Sequence, residues 1–399
     1  MIQIVDKSQC CGCTACVSVC PKQCIAMQED EEGFLYPVVD TSLCIDCNLC
    51  QKVCPELHPM NTRTPLHVYA AKHKDEQIRL ASSSGGIFTL LAEKVIDEGG
   101  VVFGARFNAS WEVVHDYTET KEGLTAFRGS KYVQSWLGNC FSKVRSFLSE
   151  GRKVMFTGTP CQVAGLKQYL RKEYDNLLTV DVVCHGVPSP KVWRMYLDEV
   201  ARKGKKKSVL PHSIHGKDAL IKGISFRDKC LGWKKYSFAL TFSEATADGE
   251  KNTVLLSSVF TENLYMNVFL SNLSLRLSCY ACPAKAGKSG SDITIADFWG
   301  IEDVLPDFED DKGISLVLSY SEKGGRWLAG LDCECIEVDY RSAQRMNPSI
   351  SSSVSKPINR AFFFRQLIRK KNICLAWEDC SSDMFKKRVC RYLYRKIGI

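Results

Sequence analysis

No run of apolar residues in this 399-residue chain approaches the ~20 needed to cross a bilayer, so no membrane span is read. The N-terminus lacks a basic stretch followed by an apolar one, and the expected location is the cytoplasm. A nucleotide phosphate loop, a catalytic triad and an evident cysteine nucleophile are all missing, which argues against phosphoryl and acyl transfer. The C-x3-C-x2-C spacing of radical S-adenosylmethionine enzymes is absent too, since Gln23 and Leu57 stand three residues past Cys20 and Cys54. A basic footprint over the main body is also lacking. From Lys356 onward there are twelve Lys/Arg against three Asp/Glu, more than the whole chain's net charge of +8. Nucleic acid is therefore not an expected partner.

What is present is cysteine, 21 of them, ten before Pro55. Apolar content of 45% and charged content of 25% are those of an ordinary globular protein, and the length suggests two or three domains. In so long a chain, thiols for metal or redox chemistry are expected rather than a disulfide framework. Asp6, Ser8, Cys10, Cys13, Cys16, Cys20 and Pro21 recur in register 34 residues later as Asp40, Ser42, Cys44, Cys47, Cys50, Cys54 and Pro55. Each copy reads C-x2-C-x2-C-x3-C-P, the run that wraps cubane iron–sulfur clusters, with the fourth cysteine ligating the other cluster. One 4Fe–4S cluster is assigned to Cys10, Cys13, Cys16 and Cys54, and a second to Cys44, Cys47, Cys50 and Cys20. The fourth cysteine of each run is expected to start a short helix. "CIAMQEDEEGFLYPVVD" reads as a hairpin between the copies. Structural zinc is the alternative, since CxxC pairs also hold zinc. Cys11 and Cys24 are left over and read as buried small thiols.

Beyond the linker "ELHPMNTRTPLHV", strand and helix patterns alternate. A helix is expected from Ile87 and strands at Val101–Phe107, Lys153–Phe156 and Leu178–Val183, with a helix running through Val200. The fold class is thus a small dicluster ferredoxin-like α+β domain followed by a larger mixed α/β domain containing a parallel sheet with covered faces. Cys161 and Cys184 lie just past strand ends, where ligands bind in open α/β sheets. With Cys279 and Cys282 of "CYAC" they make four, enough for a third metal centre, although isolated buried cysteines are common.

The motifs "SSSGG", "RGSKYVQS", "TGTPCQVAGLK", "DVVCHGVPS", "FRDKCLGW", "CYACP" and "DITIADFWG" occur in that order. Together they resemble the beta-subunit family of coenzyme F-420 hydrogenases and dehydrogenases over roughly residues 1 to 310, with a ferredoxin domain fused in front. The resemblance implies an iron–sulfur flavoprotein. Cys161, Cys184, Cys279 and Cys282 would hold a third 4Fe–4S cluster beside FAD. The flavin pocket would be formed by Ser82, Ser83, Ser84, Gly85 and Gly86, by Arg128, Gly129, Ser130, Lys131, Tyr132, Gln134 and Ser135, and by Thr157, Gly158, Thr159 and Pro160. A Ser/Gly turn at a helix N-terminus suits a diphosphate, and Arg128 and Lys131 could balance its charge. Without the resemblance, "SSSGG" reads as a helix cap. The implied activity is an FAD-dependent oxidoreductase whose organic acceptor is deazaflavin-like or tied to polysaccharide synthesis. The implied partner is a ferredoxin or a hydrogenase/dehydrogenase subunit. The rival is an electron-relay subunit with no acceptor of its own.

His185 could donate a proton beside Cys184, or hydrogen-bond a cluster sulfur or the nearby turn, and the structural role is favoured. Asp297 reads as a pocket residue or as the N-cap of "FWGIEDV". "FRDKCLGW" is expected to start a hairpin over the site, with no role for Cys230. Cys333 and Cys335 read as ordinary strand residues. The expected domains are residues 1–60, 66–145, 146–345 and a basic helical tail, 356–399. That tail suits either peripheral membrane contact or packing on the body with a solvated basic face. "RKGKKK", Arg202 to Lys207, reads as an exposed loop.

Overall fold

A computed structural model of the chain describes residues 1–203, 220–245 and 251–381. Positions 204–207 of "RKGKKK" and residues 382–399 of the basic tail lie outside the described residues.

The 34-residue repeat is a repeat of backbone as well as of sequence. In each copy an aspartate accepts the amide of the serine two residues on, Asp6 from Ser8 at 2.8 Å and Asp40 from Ser42 at 3.0 Å. In each, a left-handed residue follows the second cysteine, Thr14 (φ 62°) and Asn48 (φ 58°). A short helix comes next, α1 (Ala15–Val19) in the first copy and α2 (Leu49–Lys52) in the second. Between them β1 (Ile25–Glu29) and β2 (Leu35–Val39) form the expected antiparallel hairpin. One expectation is corrected: each helix precedes the fourth cysteine instead of starting from it. A proline forces the residue before it out of the helical region, and Cys20 is extended (φ −68°, ψ 113°).

The main body follows in chain order. It opens with β3 (His67–His73), α3 (Glu76–Ala81), α4 (Ile87–Asp97), β4 (Val101–Phe107) and β5 (Val113–Thr118). Next come α5 (Cys140–Ser149), β6 (Val154–Gly158), α6 (Pro160–Leu170), β7 (Leu177–Val182) and α7 (Pro190–Lys203). A separate antiparallel sheet holds β8 (Leu220–Asp228), β9 (Ser237–Ala245) and β10 (Lys251–Val259), and "FRDKCLGW" runs from the end of β8 into the connection to β9. After α8 (Leu264–Leu270) the chain returns through β11 (Ile293–Asp297), α9 (Ile301–Val304), β12 (Ser315–Ser319), α10 (Glu322–Leu328) and β13 (Cys333–Glu337). It continues through α11 (Tyr340–Arg345), α12 (Arg360–Lys370) and α13 (Ile373–Ser381).

The large sheet has the order β13-β3-β12-β11-β7-β6-β4-β5. Its centre, β11-β7-β6-β4, is parallel as expected, whereas the flanking pairings are antiparallel. Side chains alternate across the central strands. Val101, Phe103, Val154 and Phe156 meet Phe141, Val144, Val163 and Leu166 of α5 and α6 on one face. Val102, Met155, Leu178 and Ile293 meet Ile87, Leu91 and Val95 of α4 on the other. Both faces are therefore covered, and the loops at the carboxyl ends of β6, β7 and β11 are left to build a site.

The dicluster domain is packed against this body. Arg276, fully buried, donates to the carbonyls of Cys10 (2.6 Å) and Leu35 (2.9 Å) and to Oε1 of Gln134 (3.1 Å). Its guanidinium lies 4.3 Å from the centre of the Tyr36 ring. Gln134 in turn donates to the carbonyl of Cys11. On the hairpin side, Arg360 of α12 is buried and makes a two-pronged pair with Glu32, at 3.0 and 2.6 Å. It also donates to the Leu275 carbonyl at 3.0 and 2.7 Å.

The first helix of the basic tail is thus a clasp between the two parts of the chain. Its apolar residues Phe363, Phe364 and Leu367 are buried in the core, so they are not available to lipid. Among the described residues no helix is long and apolar enough to cross a membrane. Replacing Arg360 by methionine leaves Glu32 and the Leu275 carbonyl without their donor. We expect Arg360→Met to cost about 2–3 kcal/mol, somewhat below a fully buried pair because Glu32 is partly exposed. Denaturant unfolding of the anaerobic protein measures it, and an unchanged midpoint would contradict the clasp.

Candidate metal centres and their surroundings

Each predicted dicluster quartet lines its own cavity. Cys10, Cys13, Cys16 and Cys54 surround one, together with Ile2, Ile4, Met27 and Pro37. Cys20, Cys44, Cys47 and Cys50 surround the other, with Ile25, Val39 and Leu49. The crossing-over of the fourth ligand is therefore in the geometry, Cys54 reaching the first cavity and Cys20 the second. The second quartet is the outer one, with Cys47 exposed. There the amide of Ile2 donates to Sγ of Cys50 at 3.2 Å, and Cys24 lies 3.4 Å from Cys20, sulfur to sulfur. At the inner quartet a guanidinium nitrogen of Arg276 is 3.5 Å from Sγ of Cys10. Gly165 of α6 packs against the same loop, where a Cβ would lie 2.7 Å from Cβ and 2.8 Å from Sγ of Cys13.

The third set comes from three separate loops. Cys161 opens α6 after β6, Cys184 follows β7, and Cys279 and Cys282 stand in the turn before β11. Cys184, Cys279 and Cys282 each feel the charge of Cys161. Burial pushes Cys184 up to about 11 and Cys282 up to about 12, with the charge of Cys161 adding to both. Such a group carries thiolates only around a cation, the condition that a cubane meets. The amide of Val187 donates to Sγ of Cys279 at 3.4 Å. The buried ammonium of Lys285 holds the carbonyls of Cys184 and Ser349 beside the set. No three His, Cys, Asp or Glu among the described residues converge at the spacing of a single ion. Cubane ligands stand at separate corners and need no such convergence.

The loops expected to hold flavin meet at the same sheet edge. The amide of Ser130 donates to Oγ of Ser83 at 2.6 Å, and Arg128 donates to Oγ1 of Thr89 in the first turn of α4. That helix starts at Gly86 (φ 87°) with no side-chain cap, so its first amides suit an anion. His115 joins the second loop to the third. Its Nε2–H donates to the Thr157 carbonyl at 2.9 Å, which leaves Nδ1 to accept from Ser135 at 2.8 Å. Burial pushes His115 down to about 4, in keeping with a neutral ring. Ser135 also accepts from Gln162, whose Oε1 accepts the amide of Thr159.

Other groups in these loops are occupied internally. Ser82 donates to Ile78, and Ser84 to Ile314. Lys131, expected to face phosphate, donates to the carbonyls of Phe127, Arg128 and Gly129 at 3.1–3.2 Å. Burial pushes it down to about 7, and its three carbonyl acceptors favour the charged form. The ring of Tyr132 packs on Phe269 at 4.9 Å. A cavity of about 180 Å³ adjoins Gln134 and Ser135, but its other walls include Gly12, Thr14, Trp136, Trp193 and Arg194 at the dicluster junction.

Two single-residue candidates have partners within the chain. His185 pairs through Nε2 with Oδ1 of Asn272 at 2.6 Å and packs edge-on to Phe269. Asp297 caps no helix, since Gly300 is the N-cap of α9. It pairs with Arg227 at 3.0 Å and accepts from Trp233 at 3.1 Å. Cys230 is exposed, and the neighbouring Lys229 holds the carbonyls of Arg79, Ser84 and Lys312. Cys333 and Cys335 lie on β13, as expected.

Sequence reasoning missed Arg276, Lys285 and His115. The first two flank "CYAC" in "RLSCYACPAK", a basic residue on either side of a ligand pair, which is a usable signal in retrospect. His115 carries none.

Residues 68–139 match the N-terminal family of the coenzyme F420 hydrogenase/dehydrogenase beta subunit. Residues 151–342 match the C-terminal family of the same beta subunit, the two together spanning about two thirds of the chain. Residues 9–57 match the 4Fe-4S dicluster domain. No curated protein matches. Among solved structures, one match is a chain of the xenon-derivatized F420-reducing [NiFe] hydrogenase complex from Methanosarcina barkeri. It shares 16% identity over 78% of this chain and 89% of that one, with a TM-score of 0.43.

The closeness of α6 to the inner quartet gives a direct test. Gly165→Val sets its side chain against Cys13, so the variant should lose about four irons and keep the signal of the outer cluster in magnetic resonance. Full iron in that variant would contradict the geometry.

Proposed function

The chain belongs to the coenzyme F420 hydrogenase/dehydrogenase beta-subunit family, carries a 4Fe–4S dicluster domain in front, and serves electron transfer in a redox complex of that kind; on that premise we propose that it is an FAD-dependent iron–sulfur oxidoreductase. It exchanges single electrons with a partner protein at its dicluster domain and a pair with an organic acceptor, deazaflavin-like or tied to polysaccharide synthesis. When bound, cubanes carry one electron at a time and a flavin collects the pair that an organic acceptor requires.

The observation that carries the reading is the third thiol set, Cys161, Cys184, Cys279 and Cys282, gathered behind the inner dicluster quartet and next to the Thr157–Pro160 turn. The residues supply three things. Cysteines from separate loops fix the metal groups relative to one another. Arg276 and Lys285 add positive charge beside thiolates that burial would otherwise keep protonated. The uncapped start of α4, Ser83 and Arg128 offer amides, a hydroxyl and a guanidinium to a diphosphate. His185, bonded to Asn272, is left out of the chemistry.

A second reading, the relay subunit without an acceptor, is favoured by one observation. Ser82, Ser84 and Lys131 are occupied by backbone carbonyls, and the cavity of about 180 Å³ beside the second loop opens at the dicluster junction. Anaerobic counting of iron, sulfide and flavin separates the readings. We expect about twelve irons and about one flavin per chain, and Cys184→Ser or Cys279→Ser should lose about four irons while the dicluster signals persist. About eight irons in the unmodified chain would remove the third cluster. Twelve irons without flavin, and no reduction of any acceptor in stopped flow, would favour the relay.

A further inference from the structure

The cavity of about 180 Å³ at the dicluster junction has none of the candidate ligand cysteines on its walls. Both parts of the chain build it. Thr14, Glu29 and Leu35 come from the dicluster domain, and Glu112, Val113, Trp136 and Arg194 from the body. Much of the wall is apolar, with Leu35 and the buried Val113, Leu137 and Trp193. An apolar cavity of roughly 150 Å³ takes a benzene ring, so there is room here for one substituted ring.

Trp136 stands on this wall with 55% of its surface exposed. Its backbone is nevertheless fixed: the amide donates to the Val113 carbonyl at 3.0 Å, and the carbonyl accepts from the His115 amide at 2.8 Å. An indole held in place beside a cavity offers a face on which a ring or a cation can rest, and among side chains it attracts cations best. The charged side chains on the walls are Glu29, Glu112 and Arg194. Arg194 bonds Glu29 at 2.6 and 2.8 Å and Glu112 at 3.4 Å, which leaves one negative charge unbalanced. Arg276 lies behind Gly12 and does not offset it, because its donors are taken by two carbonyls and Gln134. Thr14 stands between this cavity and that of the inner quartet, 4% exposed, and its hydroxyl has no partner among the described residues.

We propose that this cavity is a binding site for a small aromatic cation with a hydrogen-bonding substituent. Its ring rests against Trp136, its charge lies beside Glu29 and Glu112, and its substituent meets the Thr14 hydroxyl. An occupant bridges the hairpin and the body and lies against the loop from Gly12 to Thr14. The site depends on neither the third cluster nor flavin.

Anaerobic titration calorimetry of the full chain tests it with three probes that share one ring: the N-methylnicotinamide cation, neutral nicotinamide and the nicotinate anion. We expect a single site that holds the cation about fivefold more tightly than the neutral ring, with nicotinate weakest. Trp136→Ala should weaken binding of the cation by roughly fivefold or more. Glu112→Gln keeps the shape and removes the unbalanced charge, so it should bring the cation down to the affinity of the neutral ring. Both side chains are exposed, and an unchanged iron count checks that each variant folds; should Trp136→Ala lose iron, Glu112→Gln decides alone. No heat with any probe, equal affinities for the three, or a preference for the anion overturns the proposal. So does a Glu112→Gln variant that still prefers the cation. The metal and flavin count is a separate result: a full complement without binding sinks only this site, and binding with fewer irons leaves it standing.

Discussion

One buried guanidinium holds the arrangement together. Arg276 has no exposed surface and bonds the Cys10 carbonyl, the Leu35 carbonyl and Gln134, three acceptors that belong to two different parts of the chain. A charge so placed requires every one of its donors to be met, and the bonds that meet them set the first cysteine loop against the main body. Gly12 and Gly165 are small for the same reason. A Cβ on Gly12 would lie 3.0 Å from Arg276 and Gln134, and one on Gly165 would press on Cys13. The ferredoxin-like part is therefore built into the body, not tethered to it. Arg360 repeats the device on the hairpin side, where a helix from the far end of the chain reaches Glu32.

This joint explains how thiolates can be kept in low dielectric at all. Buried sulfur acquires a proton unless positive charge or amides face it. The third set has Lys285 and the Val187 amide, and the inner quartet has Arg276. The outer quartet, more open to water, has the Ile2 amide.

Local features were legible in the sequence, and contacts across the chain were not. The in-register repeat pointed to the two groups of cysteines that line separate cavities, with Cys54 joining the first run and Cys20 the second, because such spacing is a property of consecutive residues. Alternation gave the central strands, with β4 at Val101–Phe107 as read and β7 within a residue. The helix at the fourth cysteine was misread because the pre-proline effect on Cys20 was not weighed against helix continuation. Arg276 was missed for another reason. Its partner Cys10 is 266 residues away, so its place before "CYAC" could flag a basic residue near a ligand pair but not what it bonds. Asp297 looked like a cap or a pocket residue because its partners Arg227 and Trp233 sit on another sheet and its connection.

Exposure also differs between the two quartets. The outer quartet includes an exposed ligand, Cys47, whereas Cys10 and Cys13 of the inner quartet are 8% exposed and lie beside a buried guanidinium. A fixed cation in low dielectric favours the more negative state of any metal group bound next to it, and solvent exposure and hydrogen bonding shift the balance further. Arg276 and Lys285 both lie inward of the exposed ligand, so the field they add favours negative charge toward the sheet edge. The exposed ligand is where the proposed partner protein would meet the chain, and the Ser83 and Arg128 loops lie at the sheet edge. On the function proposed, the charges built into the joint would favour electrons moving from the surface toward those loops.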